Sequence, residues 1–571
     1  MALSRRKRKL LTMILSAAVA ALALSVYLVS GASSASAAGK TLVQLNVEVA
    51  PSLDPDGADA ADPAVQEADN NLGGYLVTVP VAAKGATLVP NYSIGADDYT
   101  PSLASSYTHK GTTWIFHLRH NVVSCAGNPL TSADVVYTYQ RAISVSGASP
   151  VTDFLSVVAG VFSGAELAPG ASAKTKVLGT QVKAMGPYTV EIKQLKPDGL
   201  FPGTLAIFAS LIWDSKAMKA HATKADPWSH NYTATTNAPS FGAYCLSKWI
   251  KGSEMDFTAN PKYWGPKPAY STVQVRQVPA DSDRVAALES GQANVATALT
   301  PQEYALLGKS SAASVLSGQG NTTLLLGINY DYPPFNTAKG TLIRQAIAYA
   351  LPYNALATDN YLGTATRLKS LFPTDSFGYE PLADYSTNLA KAKALMTQAG
   401  YPGGKGLPKN SKAFDLTYVA ERSTLLEPVA NSIKTALAQI GISITLTPIP
   451  QAQENTDELT KFDLGMWLRD ENRPLDPDVG YGTLLYYVSK KGGALEPSSN
   501  YANPAIDKLY LKSSSETGAA RLATLKSIQA ILGKDLPLVP LLQVEDEIAV
   551  TKGITGYLVN PGDIVIWKNL K

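Results

Sequence analysis

The chain has 571 residues, more than one hydrophobic core can organise, so two or three domains are expected. Apolar residues make up 45% and charged residues 17%, a globular balance that excludes a disordered chain. The net charge of +3 rests on five basic residues, Arg5-Arg6-Lys7-Arg8-Lys9. Without them the remainder carries −2, which excludes a basic surface for nucleic acid.

The basic cluster is followed by an apolar run over residues 10–29 and then by small residues over 31–38. That order, ending on Ala35-Ser36-Ala37, predicts an export signal cut after Ala37. Left uncut, a run of roughly 20 apolar residues is long enough to anchor the chain in a bilayer. No cysteine stands near it for lipid attachment. No later run is long enough to span a membrane, so the body is expected to be soluble and outside the cytoplasm. Cys125 and Cys245 are the only cysteines. In an exported protein they permit one disulfide; two buried free thiols are the alternative.

Residues 50–63, rich in Pro, Asp and Ala, read as loop. Thr112, Trp114, Phe116 and Leu118 alternate as a strand. Thr131-Ser132 cap a helix entered through Asp134, whose acid suits the positive end of the helix dipole. Val273 and Val275 share a strand face. Ser282 caps a helix through Val285 and Leu288, which Gly291 ends, and Val295 starts a new extended stretch. Two further helices with one apolar face carry Ile343-Ala346-Ile347-Ala350 and Leu389-Ala392-Leu395-Ala399. Phe414, Leu416 and Tyr418 alternate as a strand. Leu425, Val429, Ile433, Leu437 and Ile440 follow at helical spacing. Gly441 supplies the left-handed stop, and Ile442, Ile444 and Leu446 alternate again. Strand, helix and strand with short links predict a parallel crossover, and the chain reads as α/β. It shows no internal repeat and no long low-complexity segment.

Several blocks then stand in a particular order. They are Leu53-Asp54-Pro55; Thr100-Pro101-Ser102-Leu103-Ala104; Trp114-Ile115-Phe116-His117-Leu118-Arg119; Asn128-Pro129-Leu130-Thr131-Ser132-Ala133-Asp134-Val135-Val136-Tyr137; and Asn260-Pro261-Lys262-Tyr263-Trp264-Gly265. After them come Ala287-Leu288-Glu289-Ser290-Gly291, Pro333-Pro334-Phe335, Arg344-Gln345-Ala346, Ala399-Gly400-Tyr401-Pro402, Tyr501-Ala502-Asn503-Pro504 and Pro537-Leu538-Val539-Pro540. In these blocks, over residues 53–540, the chain resembles solute-binding protein family 5, the extracytoplasmic peptide- and nickel-binding proteins of ABC importers. Three blocks depart from the family pattern: Ser124-Cys125-Ala126-Gly127, Ser240-Phe241-Gly242-Ala243-Tyr244 and Leu351-Pro352-Tyr353. Cys125 lies in one of them and Cys245 directly follows another, which favours a bridge between those two loops.

The resemblance implies an α/β, two-lobed periplasmic-binding-protein-like clamp (type II, class C-like) with an extra subdomain in the first lobe. It implies a signal over 1–37 and a first lobe built from 38–80, 231–310 and 535–571. The extra subdomain would span 81–230 and the second lobe 311–534. It also implies a peptide ligand, the membrane permease and ATPase subunits of an importer as partners, a monomer and no cofactor.

A clamp that buries a peptide must pair the charges at its ends. In the family's peptide binders an Asp three residues after a Trp pairs with the ligand ammonium, and Asp470 holds that position after Trp467. Trp467 would wall the first side chain. Arg469 and Arg473 could meet a ligand carboxylate, or instead pair with Asp470 or Glu471. Tyr244 and Trp249 are candidate contacts whose alternative is core packing. Asp134 reads as a helix acid rather than a catalytic one. His117 and His120 point to opposite strand faces, and the 5 histidines show no zinc-type spacing. Gly400-Tyr401-Pro402-Gly403-Gly404-Lys405 follows a helix and has the wrong spacing for a phosphate loop. There is no Gly-x-Ser-x-Gly elbow and no His-Glu-x-x-His motif, so no enzyme activity is expected. An oligosaccharide or a chelated metal is the alternative ligand, and a secreted hydrolase is the reading from another class.

Overall fold

The computed structural model describes residues 39–571 except 58, 60–61, 92–93, 95–96, 146–180, 196–200, 208–209, 375, 382–384, 409–410, 458–460, 462, 473–498, 514, 517 and 561–563. The expected export signal and Arg473 therefore lie outside the described residues. Residues 41–571 form one compact unit. No helix among the described residues is long and apolar enough to cross a membrane.

Two long antiparallel strands, Ala313–Ile328 and Leu538–Thr551, organise this unit. At one end, Leu316, Ile548 and Val550 join a core with Leu42, Leu53, Val65, Val273 and Trp567. At the other end, Leu324, Leu326, Val539 and Leu541 join a second core with Ile343, Ile347, Leu416, Val429 and Ile433. Each strand thus serves two cores, and the chain's C-terminal segment returns to the first of them through the pairing of Val550 with Val295. The change of core falls at a register shift between Gln319 and Thr323. There Gly320 lies so close to Asp546 that any Cβ would overlap its carboxylate.

The two strands sit within one eleven-stranded sheet. On the first-lobe side lie Lys40–Asn46, Val295–Ala296, Tyr270–Gln277, Glu254–Ala259 and Tyr244–Ile250. On the second-lobe side lie Met466–Asn472, Asp415–Val419 and Thr445–Ile449. A separate four-stranded sheet contains Thr113–Leu118 and Thr189–Lys193. It buries Trp114, Phe116, Val190 and Ile192 against Val135 and Tyr139 of the helix Ser132–Ala142, a third core. This is a two-lobed α/β clamp with an additional subdomain.

The sequence expectations hold for most elements. Thr131 N donates to the Asp134 carboxylate at 2.7 Å, closing the start of its helix, and the same carboxylate accepts from Ser215 N at 2.9 Å. Asp134 is thus structural. Strands Asp415–Val419 and Thr445–Ile449 pair in parallel around the helix Ser423–Ala438, and Gly441 takes φ +82° after it. Two expectations need correction. The helix assigned to a Ser282 cap begins at Asp281, behind Ala280, so Ser282 lies inside its first turn. The strand expected from Ile442 begins at Thr445; Ile442 and Ile444 are buried in the connection, where burial alone produces their apolar character. The described residues of 50–62 are loop as expected, Pro63 opens the helix Pro63–Leu72, and the loop buries Asp54 and Asp56.

Candidate functional site

In open α/β sheets the ligand crevice lies beyond the carboxyl ends of parallel strands. In the second lobe Asp415–Val419 runs parallel to both Thr445–Ile449 and Met466–Asn472. Their ends carry the turn Ala420–Arg422, Gln451 and the pair Arg469-Asp470. In the first lobe Lys40–Asn46 runs parallel to Val295–Ala296 and ends before Glu48. The Glu48 carboxyl is pushed up by desolvation, by Asp62 and by Glu421 of the other lobe. The strand ends of both lobes therefore meet in one electrostatic neighbourhood.

Alternation sorts the side chains of Met466–Asn472. Met466 and Leu468 enter the second-lobe core, and Asp470 follows on the same face. Its carboxylate is only 6% exposed and accepts from the guanidinium of Arg422, whose side chain is 46% exposed. The ammonium site expected at Asp470 is therefore occupied by a cation of the chain itself. Tyr361 is fully buried nearby, and its hydroxyl has no hydrogen-bond partner. Burial first, and then the charge of Asp470, hold that phenol above its ordinary range.

Trp467 and Arg469 occupy the opposite face. Trp467 is buried in a core with Leu325, Tyr501 and Tyr510. Its ring lies over Gly327, where a Cβ would come within 2.0 Å of it, so the glycine is what gives the indole its seat. Arg469 Nη2 lies 3.4 Å from Glu454 Oε2, which also accepts from Gln451 Nε2 at 3.0 Å. Glu454 is a partner for Arg469 that the sequence did not suggest. Gln451 N in turn donates to Glu421 at 3.1 Å, tying the two strand ends together.

The remaining candidates are packed elsewhere. Tyr244 is fully buried, donates to Tyr270 O at 2.9 Å and meets Trp567 edge-on, so core packing accounts for it rather than ligand contact. Trp249 Nε1 donates to Ala50 O at 3.0 Å. Cys125 and Cys245 form a disulfide, with Cα atoms 5.5 Å apart. His120 lies past the end of strand Thr113–Leu118, stacked on Tyr188, and does not approach His117 as a ligand pair.

A cluster that sequence reading missed lies in the first lobe. Asp54, Asp56 and His230 bring ligand-type atoms within 4.8 Å of one another. The guanidinium of Arg141 fills this position. It donates to Asp54 at 2.9 and 2.8 Å, to Asp56, and to Thr233 Oγ1 at 2.8 Å, while His230 Nδ1 contacts Asp54 at 2.7 Å. A metal ion would have to displace an arginine that has no exposed surface, so the cluster reads as a structural lock. Only the Leu53-Asp54-Pro55 block signalled it in sequence.

A two-lobed clamp with charged strand ends between its lobes defines the class of solute-binding proteins. The chain belongs to the bacterial extracellular solute-binding proteins, family 5, whose sequence profile (its middle region) matches residues 98–493. It is 26% identical over 510 residues to the probable D,D-dipeptide-binding periplasmic protein DdpA of Escherichia coli (strain K12), covering 88% of this chain and 89% of that one. The fold superposes on the ABC transporter-associated periplasmic binding protein DppA from Helicobacter pylori in complex with peptide STSA. The TM-score is 0.75 at 22% identity, over 93% of this chain and 98% of that chain. A dipeptide binding protein from Pseudoalteromonas sp. SM9913 in complex with Met-Leu also gives a TM-score of 0.75, at 18% identity over 93% and 100% of the two chains.

Proposed function

We propose that this protein is the extracytoplasmic receptor of a peptide-type ABC importer. It encloses a short peptide between its lobes and delivers it to the membrane permease, whose ATPase partner supplies the energy. It performs no chemistry on the peptide. The first lobe comprises 38–310 and 535–571, with its subdomain over 81–230, and the second comprises 311–534. The Asp470–Arg422 pair is the polar anchor for one end of the ligand, and Trp467 stiffens the strand that carries it.

The observation that carries this reading is the approach of Glu48, past a strand end of one core, to Glu421, past a strand end of the other, whose charge helps to raise the Glu48 carboxyl. A ligand that touches both cores gains contacts only in the closed form, so binding shifts the population toward closure. The peptide-binding names of the family relatives support the choice of ligand. The test is native mass spectrometry of the secreted protein after incubation with a random tripeptide library. One intact peptide per chain is the expected result. Cleaved products in excess of protein would show a hydrolase, and no bound peptide would overturn the reading.

A further inference from the structure

Asp470 is nearly buried, and its carboxylate is already paired with Arg422. Arg422 is fixed by its backbone as well as by its charge. It ends the turn Ala420–Arg422, in which Ser423 Oγ donates to Ala420 O at 2.7 Å and Glu421 holds Gln451 N. An arriving ammonium therefore meets a guanidinium, not a vacant carboxylate. To reach Asp470 it must evict Arg422, which exchanges one charge-assisted pair for another with no net gain in pairing. If it stays outside, it faces a like charge. A neutral acyl-amide end meets neither penalty, and its carbonyl oxygen is an acceptor for the outward N–H groups of a half-exposed guanidinium.

We propose that Arg422 sets ligand specificity by filling the counter-ion position on Asp470, so that the receptor takes peptides whose amino end is acyl-blocked in preference to free-amine peptides. This deepens the peptide reading above and rests on it. It changes what Asp470 does: the carboxylate orients Arg422, and Arg422 touches the ligand.

The experiment uses one random tripeptide library in two forms, free and N-acetylated, in competition for the full-length secreted protein. Retained peptides are counted by mass spectrometry. Wild type is expected to retain the acetylated form in excess over the free form. Arg422→Ala uncovers Asp470 and is expected to move the ratio at least tenfold toward free-amine peptides. Arg422→Lys, which keeps a cation on Asp470, should keep the wild-type ratio. Thermal melts check that each variant is folded. Should Arg422→Ala not fold, Asp470→Asn serves instead, and the ratio should not move further toward acetylated peptides. Equal retention or a wild-type preference for free amines overturns the inference and leaves the peptide reading intact, as does an unchanged ratio in Arg422→Ala. Retention of neither form overturns the peptide reading, and this inference with it.

Discussion

Arg141 and Asp54 lock the helix Ser132–Ala142 to the loop that follows strand Lys40–Asn46: the guanidinium of one, on that helix, donates twice to the carboxylate of the other. Arg141 has no exposed surface, and its face also lies 4.7 Å from the ring centroid of Trp213. Removing one partner of a buried pair leaves the other charged and desolvated. Arg141→Met strands Asp54 and Asp56 together and should cost about 3–5 kcal/mol of unfolding free energy. Urea unfolding followed by tryptophan fluorescence measures this. A loss within experimental error would mean that the cluster does not hold the lobe.

The same region gives a pH dependence with a definite sign. Burial first pushes the Asp56 carboxyl up to about 6, against the attraction of Arg141. Burial, reinforced by Asp54 and Asp56, also raises Asp69, whose two carboxylate oxygens have no hydrogen-bond partner. A raised acid keeps its proton in the folded chain after the unfolded chain has lost it. Its stabilising contribution is therefore complete below the ordinary value of 3.8 and is lost as pH rises, for Asp56 through about 6. Asp54, held below its ordinary range by Arg141 and His230 against burial, acts in the opposite sense and loses its contribution only in acid. Asp69→Asn removes one of the raised groups. It should stabilise the protein at pH 7.5, where folding must otherwise hold a proton on Asp69 or bury its charge, with a smaller gain at pH 5. Melting temperatures across that range give the comparison, and a gain that grows toward acid would refute it.

Local elements were legible because their signals are local. Thr131 and Asp134 lie three residues apart, and one helix start needs both. Leu425, Val429, Ile433 and Leu437 repeat at the spacing of one helix face; the last three are buried and Leu425 is partly buried against the same core. The ordered blocks carried the two-lobed fold. The polar pairs were not legible in the same way. Arg422 and Asp470 come from different strand ends, and Arg141 is 87 residues from Asp54. No periodicity marks which charge will meet which across such distances. Asp470 could be named as a candidate from its block, but the cation paired with it could not. Tyr244 looked like a ligand contact because it sits in an altered block; the cause lies instead in its neighbours Tyr270 and Trp567.

The bridge between Cys125 and Cys245 closes a separation of 120 residues in sequence. It ties the loop after Val123 to the strand Tyr244–Ile250, beside the backbone bond from Cys125 N to Ser240 O at 3.2 Å. Cross-links that close long loops limit the unfolded ensemble most, by about 2–5 kcal/mol in measured examples. Thiol titration of the denatured, unreduced protein should find no free thiol, and the Cys125→Ser, Cys245→Ser double variant should melt at a lower temperature. Two reactive thiols per chain would contradict the bridge.

Arg469 separates a packing role from a ligand-binding one. Glu454 is almost fully buried, and Arg469 and Gln451 are the partners that hold its outer oxygen. If Arg469 serves Glu454, Arg469→Ala leaves a buried carboxylate short of its counter-ion and costs about 3–5 kcal/mol of stability. Restoring neutrality with Arg469→Ala plus Glu454→Gln should recover most of that loss, because Gln has no charge to compensate. The peptide dissociation constant should change less than about threefold in both variants. If Arg469 instead binds a ligand carboxylate, the order reverses: affinity for peptides with a free carboxyl end falls about tenfold or more, amidated peptides are unaffected, and the second substitution rescues nothing. Isothermal titration with paired free and amidated peptides, alongside urea unfolding of the same variants, distinguishes the two because each predicts a loss where the other predicts none.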